Sequence, residues 1–183
     1  MERGRSGRGR FAQIAYGYEG IGHGQVHVRW ENEVGGAMVP LIVLVVSFLV
    51  FRLAGLGVEH FADWQNALRA ALGAMFLLTA SAHWGRRSPD LIRMVPHAFG
   101  AGGTWVTLTG IAELLIAIGL QIPHVAMPVA MSAAAMLVCI FPANVKAARE
   151  GLTIGGKAVP GLGVRLAIQV VFVLAIAASV WPR

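Results

Sequence analysis

The chain has 183 residues, of which 56% are hydrophobic and 13% are charged, and its formal net charge is +6. A soluble domain carries about 25% charged residues, so this composition argues against a soluble globular protein and favours an integral membrane protein. The 15 Lys and Arg residues lie mainly in an N-terminal tail and in turns between apolar runs. Because they do not line one helical face together with aromatic residues, a nucleic-acid partner is not expected.

The N-terminal segment, residues 1–37, is rich in Gly and Arg, has no helical periodicity and lacks the apolar core of a signal peptide. We expect it to be a disordered cytoplasmic tail. The alternative is a mis-assigned start, because the stretch EVGGAM, which ends at Met38, can be encoded by codons that contain a ribosome-binding sequence just before an ATG. Residues 38–183 are then the membrane domain under either interpretation.

Apolar runs follow one another from Met38 onward, and each is close to the roughly 20 residues that cross the hydrocarbon core of a bilayer. They cover residues 39–58, 65–83, 104–122, 125–143 and 162–181. A lone spanning strand would leave its backbone groups unsatisfied, so each run is predicted to be a helix. The predicted fold class is all-α, a polytopic membrane helical bundle with five transmembrane helices.

The distribution of basic residues predicts the orientation of these helices. With five spans, the tail, the second turn and the fourth turn lie on one side of the membrane. That side carries almost all the Lys and Arg residues outside the spans, whereas the other side carries only Arg183. Positive-inside bias therefore places the N-terminus in the cytoplasm and the C-terminus outside.

Glu113 is the clearest functional candidate, because it lies near the middle of the third predicted span. An ionisable group at that depth is costly unless it is protonated, paired or exposed to a wet cavity. Arg52 in the first span and Arg69 in the second are the expected partners. A Glu–Arg pair is compatible with a structural role in helix register and with a proton or ligand site.

A second polar group is predicted at the cytoplasmic ends of the spans. His83 closes the second span, Asn144 ends the fourth, and Gln169 lies two turns into the fifth, on the same face as Arg165. These side chains could line a pocket that opens to the cytoplasm. Hydrogen bonding at helix ends is the alternative, and it explains each residue taken alone slightly better.

Metal and intrinsic cofactor sites are not predicted. The sequence contains no HExxH, CxxC, Walker or dinucleotide-binding motif. No two histidines are expected at matched depth on different spans, as bis-histidine ligation of haem would require. One cysteine, Cys139, leaves no dithiol for redox chemistry within the chain.

Four motifs occur in an order that resembles the DoxX-like family of small bacterial integral membrane proteins. They are RAALGAMFLLTASAHWG, DLIRMVP, LTGIAELLIAIGLQIP and FPANVKAARE, between Leu68 and Glu150. The family's polar positions correspond to His83, Glu113, Pro142 and Asn144 of this chain. The chain departs from the family pattern at Trp84 and His97, where Phe and Pro are common. The resemblance implies a four-helix core, to which residues 39–58 add an N-terminal helix.

The same resemblance implies a location in the bacterial cytoplasmic (inner) membrane and a link to quinone-dependent oxidoreductase systems. We therefore expect an accessory or quinone-interacting subunit whose partners are the lipid bilayer and an oxidoreductase protein. Whether the chain is itself an enzyme stays open, and a second copy of the chain is a further candidate partner. The alternative is a non-catalytic membrane scaffold or small-solute carrier, in which Glu113 and an arginine form a structural pair.

The interpretation of residues 1–37 is directly testable. If translation starts at Met38, N-terminal sequencing of the natively expressed protein will begin at that residue. Recovery of native peptides from the segment between Gly4 and Arg29 would show instead that the tail is translated.

Overall fold

The computed structural model describes the backbone of residues 23–182 and the side chains of residues 38–182. Residues 1–22 of the predicted tail lie outside the described residues, whereas residues 23–37 form the start of a helix. The described fold is mainly α-helical, with one 3₁₀ turn (His97–Phe99) and one short hairpin. Its elements are α1 (His23–Ala54), α2 (Glu59–Ala62), α3 (Trp64–Trp84), α4 (Ser88–Met94), α5 (Gly102–Gly119), α6 (Ala126–Arg149), β1 (Thr153–Ile154), β2 (Lys157–Ala158) and α7 (Leu162–Ser179).

Three helices, α5, α6 and α7, are long and apolar enough to cross a membrane. The described part of α1 adds a shorter apolar helix, Met38–Ala54. The all-α prediction is confirmed, and a helix occupies each predicted span. Within residues 38–182, three of these helices meet the length and hydropathy expected of a span, so five spans are not established. α3 has 21 residues and falls short in hydropathy, because it contains polar residues such as Gln65, Asn66 and Arg69.

The position of α3 explains why its sequence is less apolar. α3 contacts α1, α5 and α7, while α6 contacts α5 and α7, so α3, α5, α6 and α7 form a four-helix bundle with α1 packed against α3. Leu72, Met75 and Phe76 of α3 are almost completely buried in the main core. Helices that cover α3 on several sides also cover its polar groups, so the hydrophobicity needed at a lipid surface is not required of it.

Successive long helices alternate in direction, and the loops therefore gather at two ends of the bundle. At one end Gln65 Nε2 donates to the carbonyl oxygens of Ala178 (3.2 Å) and Trp181 (2.8 Å). At the other end Lys146 Nζ donates to the carbonyl oxygens of Arg93 (2.7 Å) and Val95 (2.9 Å). We call the latter the basic end, defined by residues 85–101 and 146–165, and the former the opposite end, defined by residues 52–69, 120–125 and 180–182.

The basic end has a small core of its own. Met94 of α4, Ala147 of α6 and Val159 after the hairpin are buried against one another. The carboxylate of Asp90 accepts a hydrogen bond from the backbone N–H of Gly155 (2.7 Å) and contacts Arg93. These contacts hold the β1–β2 hairpin and α4 over the ends of α3 and α6.

Small residues allow close helix packing along α5 and α6. The buried positions of α6 include Ala126, Ala130 and Ala133, at the spacing of three and four residues that marks one helical face. On α5 a Cβ atom added to Gly110 would lie 2.7 Å from Cβ of His83 and 2.9 Å from the Trp84 ring. No side chain fits at this distance, so Gly110 is required for the observed separation of α3 and α5.

Substitution of Gly110 tests this packing. Gly110→Ala is expected to lower the free energy of unfolding by about 1–3 kcal/mol, because the new methyl group must displace His83 or separate the helices. Gly163→Ala in α7 is the matched control, since a Cβ atom there has nothing within 4 Å. Thermal unfolding in detergent should show a loss for the first variant and no loss for the second. Equal melting temperatures would contradict the role of Gly110.

Candidate functional site

The candidate site is built on the buried face of α5. Val106, Gly110, Glu113 and Ala117 follow one another at a spacing of three or four residues and are all buried. This face packs against α3, so Glu113 points into the bundle rather than towards its exterior, with 7% of its surface exposed. Counting along α5, Glu113 lies about 16 Å from the helix start and about 9 Å from its end, beyond the reach of snorkelling.

The partner of Glu113 is His83, in the last turn of α3. His83 Nε2 and Glu113 Oε2 lie 3.5 Å apart, and the two side chains are only 11% and 9% exposed. Glu113 Oε2 is fully buried and has no hydrogen bond within the described residues, so the imidazole is its polar neighbour. The contact joins α3 and α5 through two side chains that can exchange a proton with each other.

The other ring nitrogen of His83 determines how the proton of this pair is shared. His83 Nδ1 lies 2.6 Å from the carbonyl oxygen of Val106, which can only accept a hydrogen bond, so Nδ1 must carry a hydrogen. Nε2 then faces the carboxyl group as either an acceptor or a second N–H. A single proton between Nε2 and Oε2 gives a pair without net charge, whichever atom holds it. Loss of that proton leaves one buried negative charge.

Local packing fixes the position of the histidine ring. Gly110 leaves the space in which His83 lies against α5, and Trp84 packs beside it with a ring-centroid distance of 6.2 Å. The hydroxyl of Thr109 lies 3.4 Å from His83 Nδ1 and donates to the carbonyl oxygen of Trp105 (2.9 Å). The sequence of α5 from Trp105 to Glu113 therefore supplies both the backbone acceptor and the space that the ring needs.

The predicted arginine partners of Glu113 are wrong. Arg52 Nη1 donates to the carbonyl oxygens of Phe61 (3.1 Å) and Ala62 (2.7 Å), which are otherwise unsatisfied at the end of α2. Arg69 donates to the side chain of Asn66, one turn before it. Both arginines serve the opposite end of the bundle, where free carbonyls and amide oxygens attract a guanidinium group more directly than a distant carboxyl group does.

The second predicted polar group is partly brought together. Asn144 Nδ2 donates to Gln169 Oε1 (3.4 Å), Gln169 Nε2 donates to the carbonyl oxygen of Leu137 (3.0 Å), and Arg165 donates to Asn144 Oδ1. This network joins α6 and α7. His83 belongs to the α3–α5 contact instead, and no contact in the described part of the chain links the two groups.

Positions counted from the helix ends did not predict the His83–Glu113 contact. His83 is one residue from the end of α3, whereas Glu113 is far along α5. If the end of α3 and the start of α5 lay at the same level, the two side chains would be far apart. However, the start of α5 extends beyond the end of α3, and His83 lies beside Val106 and Gly110 instead of beside the first turn. The glycine three residues before Glu113 is the one sequence signal that could have indicated a close approach at this depth.

Comparison with known proteins gives one family match. The model of a family described as a domain of unknown function (DUF8561) matches residues 72–180, which include α5, α6, α7 and most of α3. His83, Glu113 and the Arg165 network all lie within the matched region. No curated protein and no solved structure matches the chain.

A double-mutant cycle tests the pairing. His83→Ala and Glu113→Ala are expected to be non-additive, with a coupling free energy of about 0.5–3 kcal/mol, because each removes the close ionisable partner of the other. Arg52→Ala combined with Glu113→Ala is the control and should be additive within about 0.5 kcal/mol. The free energy of unfolding in mixed micelles is the measurement. Additivity for His83 and Glu113, or strong coupling for Arg52 and Glu113, would contradict the assignment.

Proposed function

Since the chain belongs to the DUF8561 family, a domain of unknown function, we propose its role from the buried pair rather than from the family description. The proposed function is that of an accessory, quinone-interacting subunit of a membrane oxidoreductase system. The observation that carries it is the contact of His83 Nε2 with Glu113 Oε2 at 3.5 Å, inside the α3–α5 seam. The resemblance of the motifs around these residues to DoxX-like proteins supports the same class of function.

The proposal places the protein in the bacterial cytoplasmic membrane with five spans, α1, α3, α5, α6 and α7. Trp64 and Trp84 lie at the two ends of α3, about 30 Å apart along the helix, which matches the thickness of the hydrocarbon core. Both are about half exposed, as is Trp105 near the basic end, and Trp181 at the opposite end is 68% exposed. Tryptophans at two such levels are typical of the two membrane interfaces.

Charge supports an orientation with the basic end in the cytoplasm. Among residues 38–182 this end carries most of the cations, namely Arg86, Arg87, Arg93, Lys146, Arg149 and Lys157. The opposite end has Arg52 and Arg69, which Glu59 and Asp63 offset. Positive-inside bias then places the start of α1 in the cytoplasm and the end of α7 outside.

The residues at the site fit one carbonyl oxygen and the ring of a quinone. The proton between His83 and Glu113 supplies a hydrogen-bond donor, and the half-exposed Trp84 ring beside His83 supplies an aromatic surface. A bound quinone supplies two-electron redox chemistry coupled to proton uptake and release. The protein itself holds a proton on His83 Nε2 or Glu113 Oε2, while the Val106 carbonyl keeps His83 Nδ1 protonated. Electrons are expected to come from a partner protein, because the sequence has no redox motif of its own.

A quinone titration tests this role. The protein in nanodiscs is titrated with a soluble quinone analogue, and tryptophan fluorescence is followed because Trp84 adjoins His83. Glu113→Gln, which keeps the shape but cannot exchange a proton, is expected to weaken binding about tenfold or more. Ser132→Ala is the control, since its hydroxyl only bonds the Pro128 carbonyl on the exposed side of α6. Equal affinities for wild type and Glu113→Gln would remove Glu113 from quinone binding.

A second function, a non-catalytic scaffold or solute carrier, is favoured by the enclosure of the same pair. Side chains that are 11% and 9% exposed can simply fix the register of α3 and α5. Purification in mild detergent followed by mass spectrometry separates the two functions. A flavoprotein or other oxidoreductase that co-purifies supports the first, and a solitary bundle that does not bind the quinone analogue supports the second.

A further inference from the structure

The cationic member of the α6–α7 network has no balancing charge among residues 38–182. Arg165 lies in the first turn of α7, is half-buried, and donates one hydrogen bond, from Nη1 to Asn144 Oδ1. A guanidinium group has five N–H donors. Arg165 Nε is fully buried and has no partner within residues 38–182. The side chain therefore brings a full positive charge and unused donors to the edge of an apolar bundle.

No carboxylate among the described side chains is available to Arg165. There are five carboxylates in residues 38–182, and two of them, Glu59 and Asp63, belong to the opposite end. Asp90 is engaged by Arg93 and the N–H of Gly155, and Glu113 is enclosed with His83. Glu150 is exposed beyond the last turn of α6 and makes no described contact with Arg165.

The direction of the hydrogen bonds shows that the side-chain amides of Asn144 and Gln169 already have partners within the network. Gln169 donates to the Leu137 carbonyl, so its oxygen is left to accept from Asn144. Asn144 in turn presents its oxygen to Arg165. The network orients the guanidinium group but supplies it only with a neutral acceptor. A neutral side chain could close the same network without the cost of desolvating a charge, so the arginine calls for an anionic ligand.

We propose that Arg165, oriented by Asn144 and Gln169, binds a phosphate group at the basic end of the bundle. A planar guanidinium fork matches two oxygens of a phosphate, and paired charge-assisted bonds would satisfy the free donors. Arg86 and Arg87 lie at the same end of the bundle and add to the positive charge there. This site is separate from the His83–Glu113 pair and does not depend on the proposed quinone function.

Two sources can supply a phosphate at this place: the headgroup of an anionic phospholipid and a free phosphate compound in the aqueous phase. The depth of Arg165, one turn into a helix that is apolar enough to span a membrane, is the depth of lipid headgroups and the adjoining acyl chains. The experiment distinguishes the two sources by presenting them separately.

The full-length protein is placed in nanodiscs of phosphatidylcholine, with or without phosphatidylglycerol, and in phosphatidylcholine nanodiscs with inorganic phosphate. Thermal unfolding and native mass spectrometry report stabilisation and bound lipid. Wild type is expected to be stabilised by phosphatidylglycerol, and Arg165→Gln is expected to need about tenfold or more of this lipid for the same shift. Arg149→Gln removes an exposed charge at the same end and should retain the wild-type response.

A second variant keeps the test decisive if Arg165→Gln does not fold. Asn144→Asp places a carboxylate against Arg165 and should raise the melting temperature in phosphatidylcholine while abolishing the response to phosphatidylglycerol. Stabilisation of wild type by inorganic phosphate alone would support the site with a soluble ligand. An equal response of wild type and Asn144→Asp, or no response of wild type to either phosphate source, would overturn the proposal.

Discussion

The seam between α3 and α5 is the contact on which the rest of the structure depends. α3 is covered by α1, α5 and α7, and its close approach to α5 requires the missing side chain at Gly110. That approach brings a histidine and a glutamate together in the bundle and leaves each side chain only about a tenth exposed. If the seam opened by the width of a methyl group, Val106, His83 and Glu113 would no longer form one unit.

Glu113 and Arg165 differ in how their charges are compensated. Glu113 meets a group that can share a proton with it, so the pair can exist without net charge. Within residues 38–182, Arg165 meets only the amide oxygen of Asn144, and a guanidinium group does not lose its proton in proteins. A carboxyl group can therefore be accommodated inside the bundle by sharing a proton, whereas an arginine keeps its charge. This difference underlies the two proposals, proton exchange at one site and anion binding at the other.

Hydrophobic runs were sufficient to predict the long helices, because the helical period and the length of each run depend only on local sequence. Helix α3 was found for the same reason, although its central position, and hence its lower hydropathy, could not be read from the chain. The adjacency of Asn144, Gln169 and Arg165 follows from their places near the facing ends of α6 and α7. The partner of Glu113 was missed because it depends on how far one helix extends past another, which loop residues 85–101 determine and helical periodicity does not.

The space left by the missing side chain of Gly110 also restricts how α3 and α5 can move. The His83 ring lies in a space bounded by Val106 on one side and Glu113 on the other, both of which carry side chains on the same face of α5. Sliding α5 along its axis by one turn would bring a Cβ atom to the place where only Gly110 fits. α3 and α5 therefore cannot slide past each other along their axes, and they are expected to move together as one rigid unit. The remaining long helices, α1, α6 and α7, are then the ones expected to shift when the bundle rearranges.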